Sequence, residues 1–440
     1  MSASQRQGLS RRRFLCAGSA ALAGLGFGTG RLGPRGLDVR PGPEAEPKIR
    51  AFRPLGRTGF RVSDIAFGSS YLSDPSVLEA ALDAGVNYID CAEVYLGGQV
   101  ERTVGRVLAR RPRKSVFLTT KIVLRPNETK ASVKSRALKC LERLDLEFAD
   151  CFMIHAAPTV ASVGSAAFHQ AVTELKAEGR VRFIGLSNHG AYYYDVDETM
   201  DKVVLAAVAD GRFDVVTFAY NFLQGDMGER VLASCREKKV GAVVIKTNPV
   251  LNSLKVRDQI EARKKEGRKP EPQLTALLDR LIALERKAAP FLKGSAPGDR
   301  QSIRAAGLKY VLSDPRVSSA CVSILNGDDL RAFVALSGRA LSSTEAKLLA
   351  ACGQTLGRLS CRQACGLCES LCPRGVPINA IMRLAHYCGQ GRTGQGAAEY
   401  AALPGPRAER CAACGGPCQR GCPHGLPLHG LLTLAHDELA

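Results

Sequence analysis

Three features that would indicate other classes of protein are missing from this chain of 440 residues. No apolar run is long enough for a confident membrane span, because the apolar stretch at residues 16–28 is short and rich in Gly and Ala. No Gly-rich dinucleotide turn follows the first predicted strand, which weighs against a doubly wound sheet. The densest basic run, residues 263–269, lacks interleaved aromatic residues, so we expect a helix end there and no nucleic-acid partner.

The chain is basic, with 61 Lys and Arg against 42 Asp and Glu. Such charge could attract nucleic acid, anionic lipid or a phosphorylated cofactor. A solvated basic surface explains it more simply, because hydrophobic content (45%) and charged content (23%) are those of an ordinary globular protein. The length is sufficient for one large barrel and an accessory module.

The first 50 residues are predicted to precede the fold as a leader and linker. Arg11 and Arg12, followed by Phe14 and Leu15, resemble a twin-arginine leader. We therefore expect export, with a periplasmic location, or anchoring in the membrane if the leader is not cleaved, since no clear cleavage site follows it. The alternative is a chance arginine cluster ahead of a disordered tail, in which case the protein is cytoplasmic.

Short apolar runs alternate with helical periods after residue 50, a pattern typical of parallel strands with crossover helices. Eight strand–helix units predict an α/β fold, a (β/α)8 TIM barrel over residues 51–345. We expect the charged segment 251–300 to add helices above the barrel mouth. The eight predicted strands are 64–67, 87–91, 116–121, 149–155, 183–187, 213–220, 241–247 and 319–325.

Four polar residues follow three consecutive predicted strands, where barrel enzymes carry catalytic groups. They are Asp90, Tyr95, Lys121 and His155. Carbonyl reduction needs a proton donor beside the oxygen, and a tyrosine can serve if a nearby ammonium lowers its pKa from about 10. We predict Tyr95 as the general acid and Lys121 as that ammonium. Asp90 would hold Lys121, and His155 would position the carbonyl oxygen. Each residue alone has an ordinary structural explanation, but the four together are hard to explain by chance.

The chain also resembles the aldo-keto reductase family over residues 52–345. The resemblance lies in segments 55–59, 88–92 and 179–188 and in the four residues above, which match the family's catalytic tetrad. It implies NADP or NAD as cofactor, bound without a classical nucleotide-binding fold, and a small carbonyl or alcohol substrate. The cofactor-binding residues that it implies are Gly68, Ser187, Asn188 and Tyr220, with Ser187 and Asn188 at the nicotinamide carboxamide.

Three positions depart from the family pattern around the cofactor. Thr217 replaces a glutamine that often contacts nicotinamide, and Thr247 replaces a larger side chain that stacks on the ring in many members. Residues 323–327 lack the usual Pro-Gly and a nearby basic residue for a 2′-phosphate. The choice between NADH and NADPH is therefore open.

Half of the 16 cysteines form two tight runs near the C-terminus. Residues 372–386 return as 422–436, which indicates an internal duplication. The runs resemble bacterial-type ferredoxin motifs with one extra residue in one gap. We predict a cysteine-rich, ferredoxin-like α-helical domain over residues 346–440 that binds one or two 4Fe–4S clusters. Zinc and disulfides are the alternatives. The predicted ligands are Cys361, Cys365, Cys368, Cys372, Cys411, Cys414, Cys418 and Cys422.

The combined prediction is an oxidoreductase that interconverts carbonyl and alcohol groups with NAD(P)H. It would belong to the branch of aldo-keto reductases with a ferredoxin-like tail and a twin-arginine leader. The clusters would exchange electrons with a redox partner protein or would only hold the tail together. The alternative is an exported electron-transfer or structural protein on a catalytically weakened barrel.

Overall fold

The computed structural model describes residues 46–190, 198–249, 255–269, 271–288, 300–389 and 393–440. The twin-arginine motif and most of the predicted linker lie outside the described residues, so the leader stays a prediction. In the described ranges, no helix combines the length and the apolar character needed to cross a bilayer.

Eight parallel strands close into a barrel, which confirms the predicted fold class. Neighbouring strands follow one another around the barrel in chain order, and the last pairs with the first. The predicted runs agree with these strands to within two residues at either end. The barrel strands are β3 (Ile65–Gly68), β4 (Tyr88–Asp90), β5 (Phe117–Ile122), β6 (Ala149–Ile154), β7 (Val181–Asn188), β8 (Val215–Ala219), β9 (Gly241–Ile245) and β10 (Ser319–Ser323).

A two-stranded hairpin that we did not predict precedes the barrel, with β1 (Phe52–Pro54) antiparallel to β2 (Arg61–Ser63). Leu55 in its turn is fully buried and belongs to the same apolar cluster as the barrel-interior residue Phe117. Gly56 has a φ of +52°, and a methyl group there would lie 2.2 Å from the backbone nitrogen of Gly241. The motif at residues 55–59 is therefore a structural turn at the base of the barrel.

Helices surround the barrel and continue into the C-terminal part of the chain. Because each connecting helix returns the chain to the base of the barrel, the strands all end at the same mouth, enclosed by the helices. They are α1 (Pro75–Asp83), α2 (Gln99–Leu108), α3 (Lys130–Leu144), α4 (Val160–Val163), α5 (Ala166–Ala177), α6 (Met200–Asp210), α7 (Gly225–Lys238), α8 (Val256–Lys265), α9 (Pro272–Ala288), α10 (Arg300–Leu312), α11 (Gly327–Val334), α12 (Ser343–Gln354), α13 (Ile378–Gly389), α14 (Thr393–Ala401) and α15 (Leu428–Leu439).

The C-terminal residues 346–440, here called the tail, are helical as predicted, with short 3-10 turns around the cysteines. α13 and α15 begin at equivalent positions of the two sequence copies and pack against each other. Their second residues act alike: Asn379 Nδ2 donates to the backbone oxygen of Arg362, and His429 Nε2 lies 2.5 Å from the backbone oxygen of Cys411. The duplication in sequence is thus a duplication in structure.

The tail has an apolar core of its own, and helices α8 and α9 complete it. Val256 and Ile260 of α8 and Leu277 of α9 belong to the same buried cluster as Leu384 of α13 and Leu431 of α15. We expected these inserted helices above the barrel mouth, whereas they form a support for the tail. Their apolar faces have tail helices as partners, which a sequence pattern cannot reveal.

The first cysteine run of the tail rests on the barrel. The backbone nitrogen of Met200 donates to the backbone oxygen of Ala364 at 3.0 Å. Gln224 Nε2 donates to the backbone oxygen of Gln363 at 2.8 Å. Ala364 is itself part of the main apolar core. These contacts place α13 at the carboxyl ends of the barrel strands.

Candidate active site

The predicted tetrad comes together at the barrel mouth. Lys121 Nζ donates to Asp90 Oδ1 at 2.7 Å and to the backbone oxygen of Cys91 at 2.6 Å. It also lies 3.3 Å from the hydroxyl oxygen of Tyr95. The ring centroids of Tyr95 and His155 are 5.7 Å apart in an edge-to-face arrangement. A buried cation therefore lies directly against a phenol that faces an imidazole.

Strand register explains this convergence. Asp90 ends β4 and Lys121 lies near the end of β5, so both side chains point to the mouth of the barrel. Both are almost completely buried, at 5% and 2% exposure, while Tyr95 in the following turn is half-buried. The Lys121 ammonium and Oδ1 of Asp90 form a hydrogen-bonded ion pair away from solvent. The Tyr95 hydroxyl remains accessible to a ligand.

Two residues beside the tetrad adopt left-handed backbone conformations that side chains rarely take. Leu96 follows Tyr95 and has a φ of +46°, and Ala156 follows His155 and has a φ of +50°. Such strain costs about 1–3 kcal/mol per residue and is concentrated at functional sites. Here the strained backbone helps to orient the side chains of Tyr95 and His155, which directly precede these two residues.

His155 is neutral at physiological pH. Burial and the positive charges of Lys121 and Arg383 lower the pKa of its imidazole well below the usual range. A neutral imidazole has one N–H donor and one acceptor nitrogen. His155 can therefore donate a hydrogen bond to a carbonyl oxygen without carrying a positive charge.

The wall formed by β7 and β8 carries residues suited to a carboxamide. Ser187 Oγ accepts a hydrogen bond from the backbone nitrogen of Ala156 at 2.9 Å. Asn188 Nδ2 donates to the backbone oxygen of Ala157 at 2.7 Å. The Oδ1 atom of Asn188 is buried and has no hydrogen-bond partner among the described residues. An amide N–H donor of a ligand would satisfy this oxygen.

Two other predicted cofactor residues differ in placement. Gly68 lines the cavity, and a methyl group there would lie 2.9 Å from the backbone oxygen of Val322, so glycine permits the close approach of β3 and β10. Tyr220 is buried outside the cavity lining, and its hydroxyl donates to Glu229 Oε1 at 2.8 Å. The cofactor role predicted for Tyr220 therefore finds no support in this placement.

The mouth opens into a cavity of about 890 Å³. The tetrad, Ser187, Thr217 and Thr247 line it, as do Ser323, Leu325 and Asn326, so all three departures from the family pattern face the same space. The threonine side chains leave room where larger residues were expected. The volume is in the range of small-molecule and cofactor sites.

Comparison with known proteins agrees with this geometry. The model of the family described as "Aldo/keto reductase family" matches residues 69–354, which is more than half of the chain and includes the tetrad. The chain belongs to the aldo/keto reductase family. It is therefore an oxidoreductase of that family, and the matched region ends before either cysteine run.

Individual relatives are distant from this aldo/keto reductase. Probable aldo-keto reductase 1 of Glycine max is 27% identical over 47% of this chain and 66% of its own length, just under two thirds. The uncharacterized oxidoreductase YqkF of Bacillus subtilis is 25% identical over 68% of this chain and 94% of its own length. The NADH-specific methylglyoxal reductase of Escherichia coli is 27% identical over 46% and 68%, respectively.

Solved structures resemble the barrel at low sequence identity. An aldo-keto reductase from Bacillus halodurans, solved in its holo form, is 21% identical and covers 72% of this chain and 98% of its own, with a TM-score of 0.47.

The reductase has a further cavity wall that our sequence reasoning missed, because the tail provides it. Arg383 and Tyr387 of α13 and Glu399 of α14 line the cavity. Lys246 at the end of β9 lies opposite, with Nζ 3.8 Å from the ring centroid of Tyr387. The one signal available in the sequence was an arginine inside an otherwise apolar helix, in which position a charge needs a partner.

The cysteines of the two tail runs are buried or half-buried. No disulfide joins the cysteines in the described part of the chain. In the same part of the chain, no three His, Cys, Asp or Glu side chains are grouped closely enough for a single metal ion. Burial and neighbouring thiols raise the pKa of Cys368 and Cys411 to about 12.

The thiols fall into two sets that cross between the sequence runs. Cys422 acts electrostatically on the first three cysteines of the first run. Cys372 acts on Cys411 and Cys418 and lines a small cavity with the first three cysteines of the second run. The first thiol set is Cys361, Cys365, Cys368 and Cys422, and the second thiol set is Cys372, Cys411, Cys414 and Cys418.

Proposed function

We propose that this protein interconverts carbonyl and alcohol groups on small molecules with NAD(P)H. The observation that supports this most strongly is the buried Lys121–Asp90 pair held against the Tyr95 hydroxyl. Membership of the aldo/keto reductase family agrees with it. A structural barrel would gain nothing from a buried charged pair beside a half-buried phenol, because burying charges is costly.

Each residue of the tetrad has a defined part in the reduction. Bound NAD(P)H supplies the hydride in this chemistry. Tyr95 donates its phenolic proton to the carbonyl oxygen, and the ammonium of Lys121 stabilises the phenolate that remains. Asp90 keeps Lys121 charged and oriented, and neutral His155 donates a hydrogen bond that positions the oxygen.

The residues present fit a nicotinamide cofactor. The unsatisfied Asn188 Oδ1 would accept from the carboxamide, and Ser187, Thr217 and Thr247 would border the ring. Asp328 and Asp329 line the cavity beyond β10, but Arg331 and Arg304 form ion pairs with them, and Arg304 also lines the cavity. Measurement with both cofactors therefore decides between NADH and NADPH.

The test is reduction of simple aldehydes by the full-length protein, purified without oxygen, with NADH and with NADPH. Tyr95→Phe should lower kcat/KM about 10²- to 10⁴-fold, because the proton donor is lost. Tyr310→Phe removes a phenol outside the barrel-mouth cavity and is the matched control. Unchanged reduction by Tyr95→Phe would refute the assignment of the general acid.

We further propose that the tail binds two 4Fe–4S clusters, one at each thiol set. In two-cluster ferredoxins, the fourth cysteine of each run ligates the cluster that is held by the other run. The crossed positions of Cys372 and Cys422 support it. Zinc would need four sulfurs within about 3.8 Å of one another, given Zn–S bonds of about 2.3 Å in a tetrahedron. In the described residues, no three thiols are grouped closely enough for a single metal ion.

Iron, acid-labile sulfide and zinc analysis of anaerobic protein tests the cluster proposal. We expect iron and sulfide in a ratio near one, in an amount equivalent to two clusters per chain, and a charge-transfer absorption that dithionite bleaches. Stoichiometric zinc without iron would reject it. The leader carries a separate proposal, export by the twin-arginine route, which fusion of residues 1–50 to a reporter that needs this route would test.

A further inference from the structure

Arg383 brings a buried positive charge from the tail to the active site of the barrel. Its side chain is 1% exposed and lines the cavity. Gly190, just after β7, has a φ of +107°, and a methyl group there would lie 3.3 Å from Cδ and Nε of Arg383. Glycine at this position therefore makes space for the arginine to reach the barrel.

The charge of Arg383 acts at the reacting end of the cavity. With burial and other cations, it lowers the pKa of His155 and of His189 well below the usual range. His155 is the residue that positions the carbonyl oxygen, and its ring lies 6.0 Å from that of His189. Arg383 is thus buried against Gly190 and lines the cavity, close enough for its charge to act on both imidazoles.

Lys246 provides a second cation on the facing side. The Tyr387 ring lies between the two charges, with Lys246 Nζ 3.8 Å and Arg383 Cζ 5.8 Å from its centroid. Lys246 has a φ of +59°, a strained backbone conformation for a side chain of this kind. The fold holds this lysine at the cavity despite the energetic cost.

Asn248 is an independent indication that a polar ligand binds at this wall. Its side chain lines the cavity and is 7% exposed, yet neither Oδ1 nor Nδ2 has a hydrogen-bond partner among the described residues. Leaving a buried amide without hydrogen bonds is energetically unfavourable. A ligand with both donors and acceptors would remove that cost.

The cations at this wall outnumber the acidic side chains beside them. Asp90 is engaged by Lys121, Asp329 by Arg304 at 2.9 Å and Asp328 by Arg331. Glu399 is the acidic side chain with which the described part of the tail lines the cavity, and its charge acts on Tyr387 together with those of Arg383 and Lys246. Two cations against one carboxylate leave this wall with a net positive charge, which favours an anion.

We propose that Arg383 and Lys246 bind the acid group of the substrate, so that the preferred substrates are carbonyl or alcohol compounds bearing a carboxylate. This inference rests on the proposed carbonyl reduction. The planar guanidinium of Arg383 suits a bidentate contact with a carboxylate, and Lys246 adds a point charge. The tail would then be a working part of the active site that selects the substrate.

A cofactor phosphate is the other anionic oxygen group that could occupy this position. The charge of Arg383 acts on His155, to which we assign the reacting oxygen, and this favours the substrate. The experiment separates the two sources by using two aldehydes that differ only in charge, 4-carboxybenzaldehyde and its methyl ester, and by measuring the Kd of NADH separately.

The wild type should reduce the acid with a kcat/KM at least tenfold above that of the ester. Arg383→Gln should lower kcat/KM for the acid about 10- to 100-fold, the range for a hydrogen bond to a charged group, and for the ester less than about threefold. Lys246→Met should act in the same direction, and Arg383→Lys should recover part of the loss. Lys347→Gln, an exposed lysine of α12, is the control for loss of charge.

Equal loss on both aldehydes, or a weakened Kd for NADH with an unchanged acid-to-ester ratio, would overturn the inference. If Arg383→Gln does not fold, the barrel variant Lys246→Met still decides the question. If the wild type reduces neither aldehyde, the proposed function fails instead. Thermal stabilisation by 4-(hydroxymethyl)benzoate then tests anion binding alone, since it should occur in the wild type and be absent in Arg383→Gln.

Discussion

Reactive side chains are grouped both at the barrel mouth and in the tail, but different interactions surround the two groups. At the mouth, Lys121 and Asp90 satisfy each other within a closed barrel whose core is formed by apolar side chains. In the tail, thiols such as Cys368 and Cys411 are part of the apolar core itself. Burial raises the pKa of both thiols to about 12, which opposes the thiolates that a metal needs.

This difference teaches which region depends on a ligand. The buried charges of the tetrad, Lys121 and Asp90, compensate each other, so the barrel can fold before any cofactor binds. The thiol sets become favourable as thiolates only when a metal centre compensates their charge. We therefore expect the tail to fold with its clusters and the barrel to fold without them, and each prediction below tests one side of that contrast.

The largest expected effect comes from Lys121→Met. It leaves Asp90 as a buried charge without its cation, so we expect about 3–5 kcal/mol of destabilisation. It also removes the ammonium beside Tyr95, so reduction should fall about 10²- to 10⁴-fold. Urea unfolding and kcat/KM measure the two effects.

The double variant Asp90→Asn/Lys121→Met is the control for that experiment. It removes both buried charges, so most of the stability should return while activity stays low. If stability does not return, the unpaired charge of Asp90 is not the cause of the destabilisation. The contrast between a mouth whose charges compensate each other and a tail that depends on a ligand is then weakened.

The next effect concerns the metal dependence of the tail. Cys422→Ser should remove about half of the iron, because it takes one ligand from the first thiol set alone. Limited proteolysis should then cleave the tail faster while the barrel fragment persists. Cys352→Ser changes a buried cysteine of α12 outside both runs and should keep the full iron content. Equal loss of barrel and tail would contradict separate folding.

An intermediate effect is expected from pH, through two histidines of the mouth. The pKa of His155 and of His189 is lowered in the folded protein, mainly by burial. Above the unfolded pKa of about 6.5 both states are neutral, so stability is complete there. As pH falls below 6.5, the unfolded state gains protons first, and stability decreases by up to about 1.4 kcal/mol per pH unit for each histidine.

Urea unfolding at pH 8, 7, 6 and 5.5 measures this dependence. His189→Gln should remove the contribution of one histidine to the slope of the free energy of unfolding against pH. The control substitution Lys347→Gln, at an exposed residue, should leave that slope unchanged. A curve that is flat between pH 7 and 5.5 in the wild type would show that these imidazoles are accessible to protons in the folded state.

The smallest effect is expected at Asn188, the last residue of β7. Asn188→Ala removes the unsatisfied Oδ1 that we assign to the carboxamide. Loss of one neutral hydrogen bond should weaken NADH binding about 2- to 12-fold. Fluorescence titration measures it, with Asn127→Gly, a change at an exposed turn residue of positive φ outside the cavity lining, as a comparison site. An unchanged Kd would remove Asn188 from the cofactor site.

Much of the barrel could be predicted from the chain because its signals are local. Each strand is an apolar run of a few residues, and each tetrad member follows such a run. The hairpin β1–β2 escaped prediction because its strands have three residues each, too few for a clear alternation. The placement of Tyr220 also differed, since the direction of a buried ring depends on neighbours such as Gly228.

The sequence by itself determined the barrel, the order of the tetrad along it and the duplicated cysteine runs, because parallel strands bring their carboxyl ends together whatever the helices do. Only the tertiary structure decided how the tail meets the barrel. Arg383 lies more than 225 residues from His155 in the chain. Packing of α13 over the mouth brings their charges together, and no local pattern encodes a contact between separate elements.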